Sequence, residues 1–312
     1  MNRLAAVALA CLLAGCATRT PSPDAFSFAV VGDTPYSDAE EVSWLAMIGR
    51  INREALDFVV HVGDFKGGGK CSDELYAHRL AQFNTFAQPL IYIPGDNEWT
   101  DCRRGYMGNM DPLERLARLR QVFFADRQSL GARRIPLQAQ DQCLQPPVTA
   151  CGCGAYPENR AWERSGVRFV TLNIPGSSNN VGFDAASDAE ALCRNAANSR
   201  WLDDAFSRAQ APGVRALVVA IQANPWESKQ PVYRDFLAQL EAGAARLRKP
   251  VLFVHGDSHT YRVDFPFAGE SITRLETFGS PFVGWVKVTV DAADPRVFSF
   301  APHVQAAVLP SR

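Results

Sequence analysis

Net charge is almost absent from this chain. Thirty-two Lys and Arg stand against 33 Asp and Glu, a formal net charge of −1. With no basic field and no charged tail to hold a polyanion, no nucleic-acid-binding surface is expected. Beyond residue 13, no stretch is apolar for long enough to span a membrane. No linker interrupts the body of the chain. Histidine is scarce, five residues in 312. What is plentiful is apolar: 47% hydrophobic against 21% charged residues, the balance of a globular protein with a sizeable core. The length suits one large domain or two ordinary ones. Without a linker, residues 26–312 read as one domain.

The first 25 residues stand apart. Arg3 supplies positive charge, and Leu4 to Leu13 form an apolar core too short for a comfortable span. Leu13-Ala-Gly-Cys16 then resembles a bacterial lipobox, which implies a signal peptide over 1–15 and a lipid on Cys16. This is preferred to an ordinary cleaved signal because small residues directly precede the Cys. Residues 16–25 become a lipid-anchored tether, and membrane contact is through the anchor alone. Ala17, not Asp, follows the Cys, which resembles outer-membrane sorting with the protein facing the periplasm.

Six further cysteines remain in the body: Cys71, Cys102, Cys143, Cys151, Cys153 and Cys193. An even number in an exported chain suggests disulfides. Cys71 and Cys102 follow two similar loops, and a bridge between them is expected if those loops share one sheet edge. The other four admit several pairings. A zinc knuckle at Cys151-Gly-Cys153 is less favoured, since no second close pair stands nearby.

Those similar loops are the main pattern. Phe28 to Asp33, Phe58 to Asp64, Leu90 to Asp96 and Val251 to Asp257 are each an apolar run ending in Gly-Asp. Each reads as a buried strand delivering a carboxylate to the sheet edge, where open α/β sheets place their sites. Helices are expected from Asp38 to about Ala55, with Trp44, Leu45, Ile48 and Ile51 inward. Others run over Asp73–Phe86, Asp111–Phe124, Asp188–Ala209 (with Leu192 inward) and Ser228–Leu247. Val167 to Ile174 and Val214 to Ile221 read as further strands, the former ending at Pro175-Gly176. Residues 127–160 read as an irregular, cysteine-rich insertion. From Ile272 onward the chain is mostly strand.

In order the site motifs are Asp33, Gly63-Asp64, Gly95-Asp-Asn-Glu98, Gln222-Ala-Asn224 and Gly256-Asp-Ser-His259. Their order, glycines and strand-end placement resemble the calcineurin-like metallophosphoesterases over most of the mature chain. The spelling Gly-Asp-Asn-Glu-Trp, with Arg194-Asn-Ala-Ala-Asn198, resembles a bacterial branch of that superfamily. The resemblance implies an α/β fold of two stacked mixed β-sheets flanked by helices. It implies hydrolysis of a phosphomonoester or phosphodiester, on a small phosphorylated substrate, by water that metal ions activate. It places metal ligands at Asp33, Asp64, Asp96, Gln222, Asn224, Asp257 and His259. Asn97 stands where the family keeps its catalytic His.

The departures have direct physical meaning. Pro35, Asp96, Asn97, Gln222 or Asn224, and Asp257 replace family residues, four of them histidines. Four carboxylates then face one imidazole. Such a cluster repels itself unless one or two divalent cations neutralise it. Oxygen ligands favour Mn²⁺, Mg²⁺ or Ca²⁺ over Zn²⁺. Asn97 can donate a hydrogen bond to a phosphoryl oxygen but cannot supply a proton, which suits a leaving group of low pKa. The alternative is a non-catalytic descendant that keeps a metal and binds a phosphorylated ligand or a partner protein. His61 and His255 precede Gly-Asp pairs and read slightly better as core residues. Glu98 reads as a supporting partner and Trp99 as packing. No role is assigned to Arg103, Arg104 or Arg262, and no feature fixes an oligomeric state.

Overall fold

The computed structural model describes residues 22–141, 151, 154–226, 231–269 and 271–304. The expectations for the signal peptide, for Cys16, for Cys143 and Cys153, and for a helix start at Ser228 lie outside these residues. Two mixed sheets stack face to face. In the first, β1 (Phe26–Val31), β2 (Val59–His61) and β3 (Leu90–Tyr92) run parallel. β11 (Gly284–Val290) and β12 (Phe298–Val304) add antiparallel strands beyond β1, giving the order β12-β11-β1-β2-β3. The second sheet has the order β4 (Gln138–Gln140), β5 (Tyr156–Arg164), β6 (Val167–Thr171), β7 (Ala216–Ala220), β8 (Val251–His255), β10 (Ile272–Glu276), β9 (Arg262–Asp264). Its strands β6, β7, β8 and β10 are parallel neighbours.

Strand alternation builds the layers. Phe28 and Val30 of β1 enter a core shared by both sheets, while Ala29 and Val31 face the helices outside. In the shared core Phe28 stacks on Phe58 at 5.0 Å and Trp162 on Phe169 at 4.9 Å. α1 (Asp38–Ile51), α2 (Asp73–Phe83) and α3 (Pro112–Phe123) cover the first sheet. α5 (Ala185–Ala209) and α6 (Arg234–Leu247) cover the second. Between β6 and α5 lies the short segment α4 (Gly176–Asn179). Among the described residues no helix is long and apolar enough to cross a membrane.

Several expected details change. Ser37, not Asp38, caps α1, its hydroxyl accepting the Glu40 N–H at 3.3 Å, and the helix ends at Ile51. Leu45 points outward, because the buried stripe runs through Trp44, Met47, Ile48 and Ile51 and leaves Leu45 about 100° round the helix. Leu192 is exposed for the same reason, since Ala191 and Arg194 take the inner positions of α5. α5 starts at Ala185, capped by Asp184.

The segment 127–160 is not irregular throughout. It contributes β4 and begins β5, two strands whose polar sequences conceal them. Glu158, Asn159 and Arg160 of β5 are all buried. Arg120 of α3 pairs with Glu158 at 2.6 Å and 2.9 Å, and Asn159 donates to Gln140 and Asn198. These internal partners make the burial of charge tolerable.

Candidate metal centre

The parallel strands of both sheets end at one rim, and the Gly-Asp turns meet there. Glycine is what lets them meet. A Cβ at Gly95 would lie 2.1 Å from Asp64 Oδ1, and one at Gly256 would lie 2.1 Å from Asp33 Oδ2. The backbone itself therefore abuts the carboxylates. Asp33, Asp64, Asp257 and His259 have φ of +51°, +54°, +79° and +60°. Side chains rarely hold this region, at roughly 1–3 kcal/mol each, and such residues gather at functional sites.

Oxygens of Asp64, Asp96 and Asp257 lie within 4.8 Å of one another. Asp33 joins them by accepting the Asp257 N–H, at 3.1 Å and 3.2 Å to its two oxygens. His259 Nε2 is 3.7 Å from Asp33 Oδ1, while its Nδ1 is 2.7 Å from the Ser280 carbonyl. Against a carbonyl, Nδ1 must carry hydrogen, so in the neutral ring Nε2 turns its lone pair toward Asp33. Asp96 Oδ1 is buried and accepts no hydrogen bond from the described residues.

Burial, then the neighbouring acids, hold Asp33 and Asp64 well above the usual carboxylate range. Burial and Asp257 push Asp96 up to about 6. Crowded acids, an oxygen without a donor among the described residues and an imidazole beside them are a set that a hard divalent cation fits. Asp64, Asp96 and Asp257 bring oxygens close enough together to hold a cation, and Asp33 and His259 lie beside them.

The two amides expected beside them face otherwise. Gln222 accepts the Gly176 N–H on Oε1 at 2.6 Å, which fixes its orientation. Its NH₂ therefore faces the acids, 3.1 Å from Asp257 and 3.3 Å from Asp64. Asn224 orients Asp257 through its backbone N–H at 2.9 Å, and its side chain turns to Ser258 and Trp226. Asn97 donates its backbone N–H to Asp64 Oδ1 at 3.0 Å. Its side-chain NH₂ donates to Tyr36 Oη at 2.9 Å, and Tyr36 donates to Asp64 Oδ2 at 3.0 Å.

Supporting residues hold the turns. Glu98 Oε1 accepts the N–H groups of Asp64 and Gly95 and the Tyr92 hydroxyl, at 3.1, 2.7 and 2.7 Å. Trp99 is buried beneath the Arg194 guanidinium, 5.3 Å from its ring centre. Cys71 and Cys102, on the loops after Asp64 and Asp96, are joined by a disulfide with Cα atoms 5.8 Å apart. A second disulfide joins Cys151 to Cys193. His61 and His255 lie in the core among aromatic rings, where burial lowers each to about 3.

Sequence reasoning missed Tyr36, Lys66, Asp101 and Ser177. Lys66 is buried beneath the site, with Nζ donating to the carbonyls of Gly67 (2.7 Å) and Asn97 (3.3 Å). Ser177 arrives on a left-handed turn. Ser177, Ser178, Asn179 and Asn180 have φ from +44° to +66°, a conformation costing roughly 1–2 kcal/mol per residue. The buried Arg194 binds the side chain and carbonyl of Asn179, and Arg103 binds Asn180. The turn sets Ser177 Oγ 2.7 Å from Asp96 Oδ2 and 2.6 Å from Asp101 Oδ1. One hydroxyl has one proton, so one of these acids must supply its own. Asp101, like Asp96, is raised to about 6, by burial first and the Asp96 charge second. The available signal was Pro175-Gly176, the same strand ending as Pro94-Gly95.

A family model, calcineurin-like phosphoesterase, matches residues 26–261. Among solved structures, a dimetal phosphatase from Danio rerio superposes with a TM-score of 0.52 at 13% identity, covering 90% of this chain and 99% of that one. A 5'-nucleotidase from Candida albicans gives a TM-score of 0.48 at 14% identity, covering 91% and 52%. Vacuolar Protein Sorting 29 from Cryptosporidium parvum gives 0.36 at 10% identity, covering 90% and 98%. No curated protein sequence matches significantly. Identities this low speak to the fold alone, and the Danio rerio structure shares the mixed sheets flanked by helices seen here. The family match is broader evidence of kinship: it runs from β1 past the last acid-rich turn, and the chain belongs to the calcineurin-like phosphoesterase family.

Proposed function

We propose that this chain hydrolyses a small phosphomonoester or phosphodiester and depends on one or two divalent cations to do so. The observation that carries the reading is the group of Asp64, Asp96 and Asp257, whose oxygens lie within 4.8 Å of one another on the rim. Asp33 and His259 flank it. The oxygen-rich set favours Mn²⁺, Mg²⁺ or Ca²⁺ over Zn²⁺. When bound, the cations would neutralise phosphoryl charge and acidify an attacking water.

The chain's own groups set the limits of the chemistry. Tyr36 and Asn97 form a pair of neutral hydroxyl and amide groups beside Asp64. They can orient a phosphoryl oxygen, but neither gives up a proton as readily as an imidazolium. Substrates whose leaving group needs no protonation are therefore favoured. The test is turnover of an activated aryl phosphate across Mn²⁺, Mg²⁺, Ca²⁺ and Zn²⁺. Activity that requires a metal and disappears in Asp64→Ala is expected. Metal binding without turnover of any aryl phosphate would instead favour a non-catalytic, ligand-binding role, which the engagement of Asn97 with Tyr36 makes the second reading.

The same proposal places the protein outside the cytoplasm, lipid-anchored through Cys16 in the outer membrane and facing the periplasm. Two disulfides support an oxidising compartment. Cys16→Ser should release the protein from the membrane fraction. Membrane retention in that variant would remove the anchor from the proposal.

A further inference from the structure

Three basic side chains approach the acid-rich rim from the loop after Glu98 and from the loop after β2, and they are used differently. Lys66 is buried and spent on carbonyls. Arg103 is spent on Thr100, Ser187 and Asn180 and lies over the Phe183 ring at 3.8 Å. Arg104 is the exception. Its side chain is 45% exposed, against 18% for Arg103.

Arg104 is also held in place. Nη1 donates to the Tyr106 hydroxyl at 2.9 Å, and Nη2 donates to Ser177 Oγ at 3.2 Å. Nη2 lies 3.0 Å from Asp101 Oδ1 as well. Because Ser177 Oγ is itself 2.7 Å from Asp96 Oδ2, this guanidinium stands one hydroxyl away from the metal centre. Its Nε–H has no partner among the described residues. A solvent-facing guanidinium, braced by a phenol and a serine, is built to receive an anion.

The isolated acids around it explain why an anion belongs there only in the loaded protein. Without cations, Asp96 and Asp101 repel an incoming negative group. With cations on Asp64, Asp96 and Asp257 that repulsion falls, and Arg104, which keeps Asp101 at 3.0 Å, can turn its remaining N–H and its exposed face to an anion at the mouth. Resting on the hydrolase reading above for the first phosphate, we propose that Arg104, braced by Tyr106 and Ser177, binds a second anionic group on the same ligand. The preferred substrate is then a phosphoester whose other end carries a phosphate or a carboxylate, not a neutral alcohol or sugar.

Calorimetric titration of the Mn²⁺-loaded full chain with non-hydrolysable probes tests this without turnover. Methylphosphonate offers one anionic group, phosphonoacetate adds a carboxylate and methylenediphosphonate adds a second phosphonate. One charge-assisted hydrogen bond predicts that a two-headed probe binds wild type roughly tenfold or more tightly than methylphosphonate. Arg104→Ala should erase most of that preference and Arg104→Lys should restore part of it. Whichever two-headed probe gains more names the second group. No preference in wild type, or a preference intact in Arg104→Ala with unchanged melting temperature, overturns the subsite. A preference present while no phosphoester turns over leaves the subsite standing and removes the hydrolase reading, so the two failures are distinguishable.

Discussion

Removing the cation should turn the centre into a proton store, and the structure sets the size of the store. Asp96 is pushed to about 6, and Asp33 and Asp64 lie well above the usual range, burial being the first cause in each. A cation needs these oxygens as anions, so binding must expel whatever protons they hold. Near pH 6 about half of Asp96 is protonated, and burial raises Asp33 and Asp64 in the same direction, so binding should release roughly one proton or more per site. Apparent affinity should then fall by ~10- to 100-fold between pH 6 and pH 5. The sign for stability follows. These folded-state values lie above the unfolded ones, so the metal-free fold is favoured at low pH and loses that support as pH rises toward 6 and beyond. Added cation should reverse the loss. Titration calorimetry with Mn²⁺ at pH 6, in buffers of differing ionisation enthalpy, counts the protons directly. Asp96→Asn should lower the count by about half a proton. A count of zero, together with an affinity indifferent to pH from 5 to 7, would show that the acids are ionised before the metal arrives and would refute the reasoning.

Other perturbations report on the scaffold. Replacing Cys71 and Cys102 together by Ser should cost about 2–5 kcal/mol in urea unfolding, and should weaken cation binding because the bridge ties the Asp64 loop to the Asp96 loop. Glu158→Gln leaves Arg120 facing a neutral partner in a buried pair, and a loss of about 3 kcal/mol is expected by the same method. Burial holds His61 and His255 near about 3, below their unfolded values. Their contribution is thus fully present above pH 6.5 and lost as pH falls toward 3. In cation-saturated protein, His255→Leu should flatten the acid-side stability slope by up to ~1 kcal/mol per pH unit.

The parts of the fold that obey simple periodicity were legible. β7 is an unbroken apolar run, β1 and β8 are broken only by Ser27 and the terminal His255, and α3 carries its Asp111 cap and Pro112 in its first turn. β5 was not legible, because buried Glu158, Asn159 and Arg160 read as surface until Arg120, Gln140 and Asn198 supply partners from distant elements. The same division runs through the metal centre. The acids on the Gly-Asp turns follow from strand ends and could be named. Tyr36 and Ser177 could not, since their place depends on a left-handed turn and on where loops fold back. Gln222 shows a further limit: one backbone N–H, from Gly176, decides which end of its amide faces the acids.

The crowding at Gly95 and Gly256 has a consequence for ion choice. Carboxylates on long, mobile side chains can widen or shrink their grip to suit an ion's radius. Here the main chain is packed against Asp64 and Asp33 within the space of a missing methyl group, so the aperture is set by backbone positions that no rotamer change can alter. Discrimination between a small, geometrically demanding ion and a larger, tolerant one then falls to the stiffness of the rim. Mutational tolerance should follow the same rule, with alanine at either glycine as damaging as loss of an acid, although neither glycine has a side chain to contribute.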